Sequence, residues 1–328
     1  MAPILEVEDL VKNYGSFQAL KGISFTVEEG EVFGLLGPNG AGKTTAISIL
    51  TGVIPPTSGE ARICGLDVFK KPLEVKRKIG LVPQDLALYP TLSARANLNF
   101  FGSIYGLGGS ELKDRVDDVL GVVALTERAN EPVEKFSGGM KRRVNIAAGL
   151  VHQPDLLFLD EPTVGVDPQS RNHIFESVLK LNQEHGMSII YTSHYMEEVE
   201  LLCKRVAVVD EGRIIALDTV QNLVAMLGGG VIQVGLRRWD DELIGRMSDL
   251  PAVRCATLLP LEEDENALQA STAPETRIVK IEAENSHLAV VNVIEFLNRQ
   301  DIQISSLDIL EPNLESVFLH LTGKKLRE

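Results

Sequence analysis

One short segment has the residue types and the spacing of a loop that binds phosphate: Gly37-Pro38-Asn39-Gly40-Ala41-Gly42-Lys43-Thr44-Thr45. It follows the apolar run Glu31–Leu36 and leads into a helical pattern over Thr45–Leu50. Glycines let backbone N–H groups turn inward around phosphate oxygens, and the helix N-terminus adds positive potential. We predict that residues 37–45 bind ATP, with Lys43 at the β- and γ-phosphates and the Thr44 hydroxyl on Mg²⁺. The alternative is a plain glycine-rich turn between a strand and a helix.

Two adjacent carboxylates end another apolar run, Leu156–Leu159. Four apolar residues followed by Asp160 and Glu161 are typical of a buried parallel strand that places charge at its C-terminal edge, where ligands bind in open α/β sheets. We predict that Asp160 holds the water shell of Mg²⁺ and that Glu161 orients or deprotonates the attacking water. The alternative is a carboxylate at a helix N-terminus before Pro162.

Strand-like apolar runs alternate with helical patterns through the first two-thirds of the chain. The runs are Glu31–Leu36, Ile79–Pro83, Leu156–Asp160, Ser188–Thr192 and Arg205–Asp210. Such alternation favours an α/β fold, in which helices cover a mostly parallel sheet. Between about residues 91 and 149 the strand-like runs stop and helical periodicity replaces them. We therefore predict a helical subdomain inserted into the α/β core.

Three consecutive glycines, residues 228–230, form the plainest linker, because they have no side chain to hold a helix or strand in place. We place a domain boundary there, between residues 1–227 and 231–328. The second domain has a β-α-β-β-α-β pattern and a short terminal helix, which indicates a small ferredoxin-like α+β sandwich. Its predicted elements are the strand Ile232–Leu236, the helix Asp241–Leu250, the strands Val253–Leu259 and Thr276–Ala283, the helix His287–Gln300 and the strand Ile302–Leu310. The polar segment Glu262–Pro274 is expected to be an exposed loop.

Composition and charge lower the expectation of several functions. A formal net charge of −14 repels a phosphate backbone at long range, so we expect no nucleic-acid partner. The chain has no uncharged apolar run of about 18 residues, and its acidic start, Met1–Val11, is unlike a secretion signal. Three distant cysteines do not suggest a disulfide framework or a zinc site, and they fit a reducing cytosol.

Two further motifs narrow the class of protein. Phe136-Ser137-Gly138-Gly139-Met140-Lys141-Arg142-Arg143 lies just upstream of the acidic run, and Thr192-Ser193-His194 ends the next predicted strand. Together with the phosphate loop, and in this order, they resemble the motifs of an ABC transporter ATP-binding subunit over residues 4–227. The resemblance implies a P-loop ATPase of ABC type that uses ATP and Mg²⁺.

The resemblance also implies a role for the segment Ser137, Gly138, Gly139 and Met140, and for Asp167. The first four residues correspond to the signature motif, which binds the γ-phosphate held on the phosphate loop of a partner subunit. The working unit would then be a nucleotide-sandwich dimer of this chain with itself or with a close homologue. Asp167, in Val164–Asp167, resembles the D-loop aspartate that communicates across that dimer. Taken alone, Ser-Gly-Gly is only a helix cap with small residues.

Three single residues gain their meaning from the same resemblance. His194 is similar to the switch histidine, which contacts the γ-phosphate. Gln84 is similar to the Q-loop glutamine, which touches Mg²⁺ or the water and borders the groove for a membrane partner. Tyr14 resembles the aromatic residue that stacks on adenine. Without the resemblance, His194 would be a structural histidine, Gln84 an anonymous loop residue and Tyr14 a half-buried edge-strand tyrosine.

One departure from the commonest signature is Met140, which stands where glutamine is usual and precedes three basic residues. This departure resembles the drug-resistance and related ABC-2-type exporter ATPases, as does the C-terminal segment Leu310–Phe318. We therefore expect an ATPase that powers export through an integral membrane permease, and that lies in the cytoplasm, peripheral on the inner face of the cell membrane. No site within residues 231–328 follows from the resemblance.

Two rival functions differ in class from a transport motor. The first is a soluble ABC-type ATPase that acts in DNA repair or on ribosomes. The lack of a long heptad run before Ser137, the single nucleotide domain and the acidic charge all oppose it. The second is a catalytically inactive binding module, which the presence of Lys43, Asp160, Glu161 and His194 opposes.

Overall fold

The computed structural model describes residues 3–227, 229–259, 277–310 and 312–322 of the 328-residue chain. These residues form two compact units that divide between Val220 and Gln221. The domain boundary expected at the glycines 228–230 stays a prediction. Within the described residues, no helix is both long enough and apolar enough to cross a lipid bilayer.

A six-stranded sheet forms the centre of the first unit. Its strands are β3 (Val32–Leu36), β6 (Ile79–Val82), β7 (Leu156–Asp160), β8 (Ser188–Ser193), β9 (Arg205–Asp210) and β10 (Arg213–Thr219). They lie in the order β10-β9-β3-β8-β7-β6, and all pairs are parallel except the hairpin of β9 and β10. Every residue of β3, β7 and β8 is buried, as expected for strands covered on both faces. The predicted α/β class is confirmed.

A second, antiparallel sheet has no counterpart among the predicted strands. It consists of β1 (Leu5–Tyr14), β2 (Phe17–Val27), β4 (Ser58–Ile63) and β5 (Leu66–Asp67), in the order β2-β1-β4-β5. Its strands are only partly buried, and register shifts interrupt the pairing of β1 with β2. The two sheets share one hydrophobic core, in which the rings of Phe25 and Phe33 stack with centroids 5.3 Å apart.

Helices cover these sheets and form the inserted subdomain. They are α1 (Lys43–Leu50), α2 (Pro72–Lys78), α3 (Ala94–Ile104), α4 (Gly109–Val122), α5 (Gly138–Leu150), α6 (Pro168–His185) and α7 (Met196–Leu202), and α8 (Val220–Ala225) begins where the two units divide. The helices α3, α4 and α5 follow one another between β6 and β7, where the sequence predicts an inserted helical subdomain.

The second unit contains a four-stranded antiparallel sheet and helices. Its elements are β11 (Val231–Leu236), α9 (Asp241–Ser248), β12 (Val253–Leu258), β13 (Arg277–Ala283), α10 (Ser286–Arg299), β14 (Ile304–Leu310) and α11 (Leu314–Thr322). The sheet order is β12-β13-β11-β14. The predicted order β-α-β-β-α-β is the one observed, and the ferredoxin-like assignment stays a prediction. The segment Glu262–Pro274 lies outside the described residues.

Two of the predicted linker glycines lie within the second unit and pack closely there. Gly230 O accepts a hydrogen bond from Ala283 N (3.0 Å), and Gly230 N donates to Ser286 Oγ (2.8 Å). A Cβ atom at Gly229 would lie 2.0 Å from Ala283 O, so the close approach of the two backbones requires glycine there. Gly228 lies outside the described residues.

The packing of α5 on β6 depends on Gly80, whose added Cβ atom would lie 2.2 Å from Gly149 O. Because a backbone carbonyl must shift to admit that methyl group, we expect Gly80→Ala to lower the free energy of unfolding by about 1–3 kcal/mol. Gly121, near the end of α4, has open space around it and is the matched control. Gly121→Ala should leave stability unchanged or raise it by up to about 1 kcal/mol. Urea unfolding followed by circular dichroism checks both, and equal effects would contradict the packing argument.

Candidate active site

The central sheet brings the ends of four strands to one edge. β3, β8, β7 and β6 are parallel neighbours, so the segments that follow their C-terminal ends lie side by side. These segments begin at Gly37, His194, Glu161 and Pro83, and they carry the predicted phosphate loop, switch histidine, carboxylates and Gln84. A hydrogen bond from Gly37 N to Ser193 O (3.4 Å) joins the first two.

The phosphate loop folds tightly against its surroundings. Gly40 and Gly42 have positive φ angles of 81° and 109°, in the left-handed region that favours glycine. A Cβ atom at Gly37 would lie 2.2 Å from Val209 O, and one at Gly42 would lie 2.8 Å from Ala19 O. The helix α1 starts at Lys43, so the N–H groups of its first turn have no helical acceptor and point towards the loop. This arrangement favours an anion at the loop.

The Lys43 side chain reaches back across the loop and is almost completely buried. Its Nζ atom donates to Gly37 O (2.7 Å) and Pro38 O (3.1 Å), and it forms an ion pair with Glu161 Oε1 at 3.1 Å. The side chains of Lys43 and Glu161 are only 3% and 6% exposed. The predicted phosphate-binding cation and the predicted catalytic carboxylate are therefore in direct contact, although 118 positions separate them in the sequence.

Asp160 lies beside this pair and accepts hydrogen bonds from two hydroxyl groups. Thr192 Oγ1 lies 2.9 Å from Asp160 Oδ1, and Thr44 Oγ1 lies 3.3 Å from the same oxygen. Burial raises the pKa of the Asp160 carboxyl group, while the bonds from Thr192 and Thr44 lower it. The hydroxyl oxygen of Thr44 and the carboxylate oxygen of Asp160 are the oxygen ligands that Mg²⁺ prefers.

The predicted catalytic carboxylate is held by its backbone as well as by Lys43. Glu161 has a positive φ angle of 45°, and its backbone N–H donates to Thr192 Oγ1 (2.8 Å). On the other side, His194 Nδ1 lies 3.2 Å from Glu161 Oε2, without the alignment of a hydrogen bond. Thr192 thus positions both carboxylates, a role that sequence reasoning missed.

Gln84 lies at the same sheet edge, on an exposed segment that α5 holds in place. Pro83 O accepts from Arg142 Nη1 (3.0 Å) and from Asn145 Nδ2 (3.4 Å), and Ala87 N donates to Asn145 Oδ1 (3.3 Å). Burial lowers the pKa of the Arg142 guanidinium. Arg142 and Asn145 were not predicted as site residues from the sequence. The one indication available was their spacing of three along a helix, which places both side chains on the same face.

The predicted signature residues lie at the start of α5. Ser137 caps this helix by accepting a hydrogen bond from Met140 N (3.2 Å), and Met140 Sδ contacts Arg128 Nη1 at 3.3 Å. A Cβ atom at Gly139 would lie 2.0 Å from Ser170 Oγ, so α5 and α6 touch at their N-terminal ends. Among the described residues, no hydrogen bond or ion pair joins residues 137–140 to the phosphate loop.

Asp167 and Tyr14 also lie apart from the Lys43–Glu161 pair. Asp167 caps α6 by accepting from Ser170 N (2.9 Å), and this bond lowers the pKa of the Asp167 carboxyl group. Tyr14 ends β1, is 49% exposed and has Lys12 Nζ 5.1 Å from its ring centroid. The structure therefore gathers Lys43, Thr44, Asp160, Glu161 and His194 into one site.

Comparisons with known proteins identify the family. Residues 20–164 match the family described as ABC transporter. The linearmycin resistance ATP-binding protein LnrL of Bacillus subtilis is 46% identical over 326 residues, which cover 99% of this chain and 100% of that protein. The Nod factor export ATP-binding protein I of Ralstonia nicotianae is 36% identical, over 99% of this chain and 96% of that protein.

A solved structure of an ATP-binding cassette shows the same fold. The dimeric post-hydrolysis state of MJ0796, bound to ADP and Pi, superimposes with a TM-score of 0.60 at 26% identity. The match covers 66% of this chain and 98% of that one. From the site, the relatives and this fold together, the chain belongs to the ABC transporter family, as an ATP-binding and ATP-hydrolysing subunit of the exporter group.

Proposed function

We propose that this chain hydrolyses Mg²⁺-ATP at the sheet edge around Lys43 and Glu161, and that the resulting motion drives export through a separate membrane-embedded permease. The observation that carries the proposal is the buried contact of Lys43 with Glu161, at 3.1 Å, beside the Asp160 carboxylate. A cation suited to phosphate, a candidate metal ligand and a candidate base would then act within one site. Such positioning and charge stabilisation are the main means of catalysis in phosphoryl transfer.

Each site residue has a proposed role that follows from its chemical group. Lys43 and the loop N–H groups bind the β- and γ-phosphates, and His194 contacts the γ-phosphate. Thr44 and Asp160, with Gln84 at the same edge, hold Mg²⁺, which neutralises charge on the phosphate oxygens when bound. Glu161 orients or deprotonates the attacking water.

A second copy of the chain, or a close homologue, completes the site. Ser137 and Gly139 present a helix N-terminus and a hydroxyl group that suit an anion, yet they make no bond to the phosphate loop of their own chain within the described residues. The MJ0796 structure is described as dimeric. In the dimer, Ser137–Met140 would reach the γ-phosphate on the other subunit, Asp167 would communicate between the subunits, and Tyr14 would stack on adenine.

The permease is expected to dock beside Gln84. The segment that follows Gln84 and the helix α3 leave large apolar side chains exposed, and Tyr89 packs edge-on against Phe100 with ring centroids 4.9 Å apart. These side chains are Leu86, Tyr89, Phe100 and Ile104. Exposed apolar groups of this size mark interaction surfaces. Docking there places the chain in the cytoplasm, on the inner face of the membrane. The relatives named for resistance and export favour this reading over a repair or ribosomal ATPase.

The first test concerns nucleotide binding. Because Lys43 would bind the γ-phosphate with a charge-assisted contact, Lys43→Ala should weaken ATP binding at least about tenfold. Titration with a fluorescent ATP analogue measures the affinity. Lys78→Ala, which removes an exposed ion pair with Asp155, is the matched control and should bind ATP normally. Unchanged affinity in Lys43→Ala would refute our interpretation of the loop.

The second test separates catalysis from binding. Glu161→Gln keeps the shape of the side chain but removes the base, so kcat should fall about 100-fold or more while ATP affinity changes little. Phosphate release under saturating ATP measures kcat, and Glu176→Gln, at an exposed position of α6, is the control. Full turnover by Glu161→Gln would overturn the role of this carboxylate.

The third test identifies the membrane partner. Affinity purification of the chain from gently solubilised native membranes should recover a multi-spanning membrane protein in stoichiometric amount, identified by mass spectrometry. Phe100→Asp with Ile104→Asp should abolish the recovery, because it places charge in the apolar surface. Leu201→Asp alters an equally apolar exposed residue of α7 and should leave recovery intact. Recovery of ribosomal proteins or nucleic acid instead would favour the soluble-machine alternative.

A further inference from the structure

A buried carboxylate outside the ATP site ties its neighbouring segments together. Glu198, in α7, is only 2% exposed and accepts hydrogen bonds from three hydroxyl groups. The donors are Thr163 Oγ1 (2.7 Å), Tyr191 OH (3.0 Å) and Ser193 Oγ (2.8 Å). We call these four residues the Glu198 cluster. Because charged side chains are rarely this buried without a partner, the cluster is a specific arrangement and not a solvated helix face.

The cluster joins the chain segments of Glu161 and His194, the two groups proposed to act at the γ-phosphate. Thr163 lies two residues after Glu161, and Ser193 directly precedes His194. Ser193 Oγ also accepts from Tyr195 N (2.9 Å), which fixes the backbone on the far side of the histidine. One carboxylate therefore limits the relative movement of the Glu161 segment and the His194 segment.

The electrostatics of the cluster make these bonds strong. Each bond is charge-assisted and lies away from water, where such bonds are stronger than at the surface. Arg171 Nε lies 3.7 Å from Glu198 Oε1 and supplies the opposite charge. Burial, followed by the Glu198 charge, raises the pKa of Tyr191 well above its usual value, so Tyr191 stays a neutral donor. Removing the carboxylate would leave three buried hydroxyl groups without their acceptor.

We infer that Glu198 is a positioning residue for ATP hydrolysis, which holds Glu161 and His194 in register through Thr163 and Ser193. The inference rests on the proposed roles of Glu161 and His194. Glu198 makes none of the contacts at the phosphate loop, so its removal should act on the chemical step and leave ATP binding unchanged.

The test compares kcat with ATP affinity in Glu198→Ala and Glu198→Gln. Glu198→Ala should lower kcat at least tenfold and change the ATP dissociation constant by less than twofold. Glu198→Gln keeps one acceptor oxygen and should recover part of the loss. The matched control is Glu31→Gln, because Glu31 is also buried and paired, with Arg205 at 3.1 Å, but precedes β3 at the opposite edge of the sheet. It should retain kcat even if it loses stability.

A second measurement distinguishes positioning from a general loss of structure. Because one of its two positioning contacts acts through His194, Glu198→Ala should lower kcat by a smaller factor in the His194→Ala background than in the unaltered chain, whereas independent effects would multiply. Thr163→Val and Ser193→Ala each remove one of the three hydroxyl groups that donate to Glu198, so they should give smaller losses of kcat with ATP affinity intact. Thr163→Val and Ser193→Ala also test the positioning role if Glu198→Ala does not fold.

Two outcomes would overturn the inference: a kcat of Glu198→Ala within twofold of the unaltered chain, or a fully multiplicative loss in the double variant. Glu161→Gln separates this failure from a failure of the proposed function. If Glu161→Gln abolishes turnover and Glu198→Ala does not, only the positioning role is wrong. If Glu161→Gln turns over normally, the assignment of the catalytic carboxylate is itself wrong.

Discussion

The buried ion pair of Lys43 with Glu161 is the interaction on which the ATP site depends. Removing both charges from water costs several kcal/mol for each ion, and only good geometry and further hydrogen bonds offset that cost. Both are present, because Lys43 donates to Gly37 O and Pro38 O, and the backbone of Glu161 donates to Thr192. The glycines that shape the loop and the hydroxyl group of Thr192 both support this contact.

The helix α5 connects the predicted signature residues to the segment of Gln84. Its first residue follows the cap Ser137, and its buried Arg142 and Asn145 hold the segment of Gln84 through Pro83 O. A helix moves as a rigid element over this length, so a displacement of its N-terminal end also displaces the Gln84 segment. Under the proposed function, contact of Ser137 with a phosphate on the partner subunit would move the surface where the permease docks.

Much of the first unit could be predicted because each sequence pattern that indicates its strands and its loop spans only a few consecutive residues. β3 and the first four residues of β7 are apolar runs, β8 has an apolar centre, and the loop before Lys43 has a fixed spacing of glycines, so these features are visible within a few positions of the sequence. β1 and β2 escaped prediction because their burial is partial and bulges break the alternation, as between Val7 and Leu10. In the second unit, the element order could be predicted from turns and apolar runs, although no ligand site could.

The site contacts that were missed are long-range and use residues of ordinary type. Arg142 reaches Pro83 across 59 positions, and Thr163 reaches Glu198 across 35. Nothing in the local sequence distinguishes Glu198 from its neighbours Glu197 and Glu200, since acidic residues on a short helix are normally solvated. Only the packing of α7 against the sheet decides which of the three carboxylates is buried.

The contacts of Lys43 also relate the binding of phosphate to the release of Glu161. An ammonium group has three N–H donors, and three oxygens lie within 3.1 Å of Nζ: Gly37 O, Pro38 O and Glu161 Oε1. A γ-phosphate oxygen can bind Lys43 only by replacing one of them. The two carbonyls belong to the loop itself, whereas Glu161 is charged, lies at the end of a separate strand and is the one ion-pair partner of Lys43 among the described residues. Under the proposed function, phosphate competes with Glu161 for Lys43, and ATP binding would free the carboxylate to accept a proton from water.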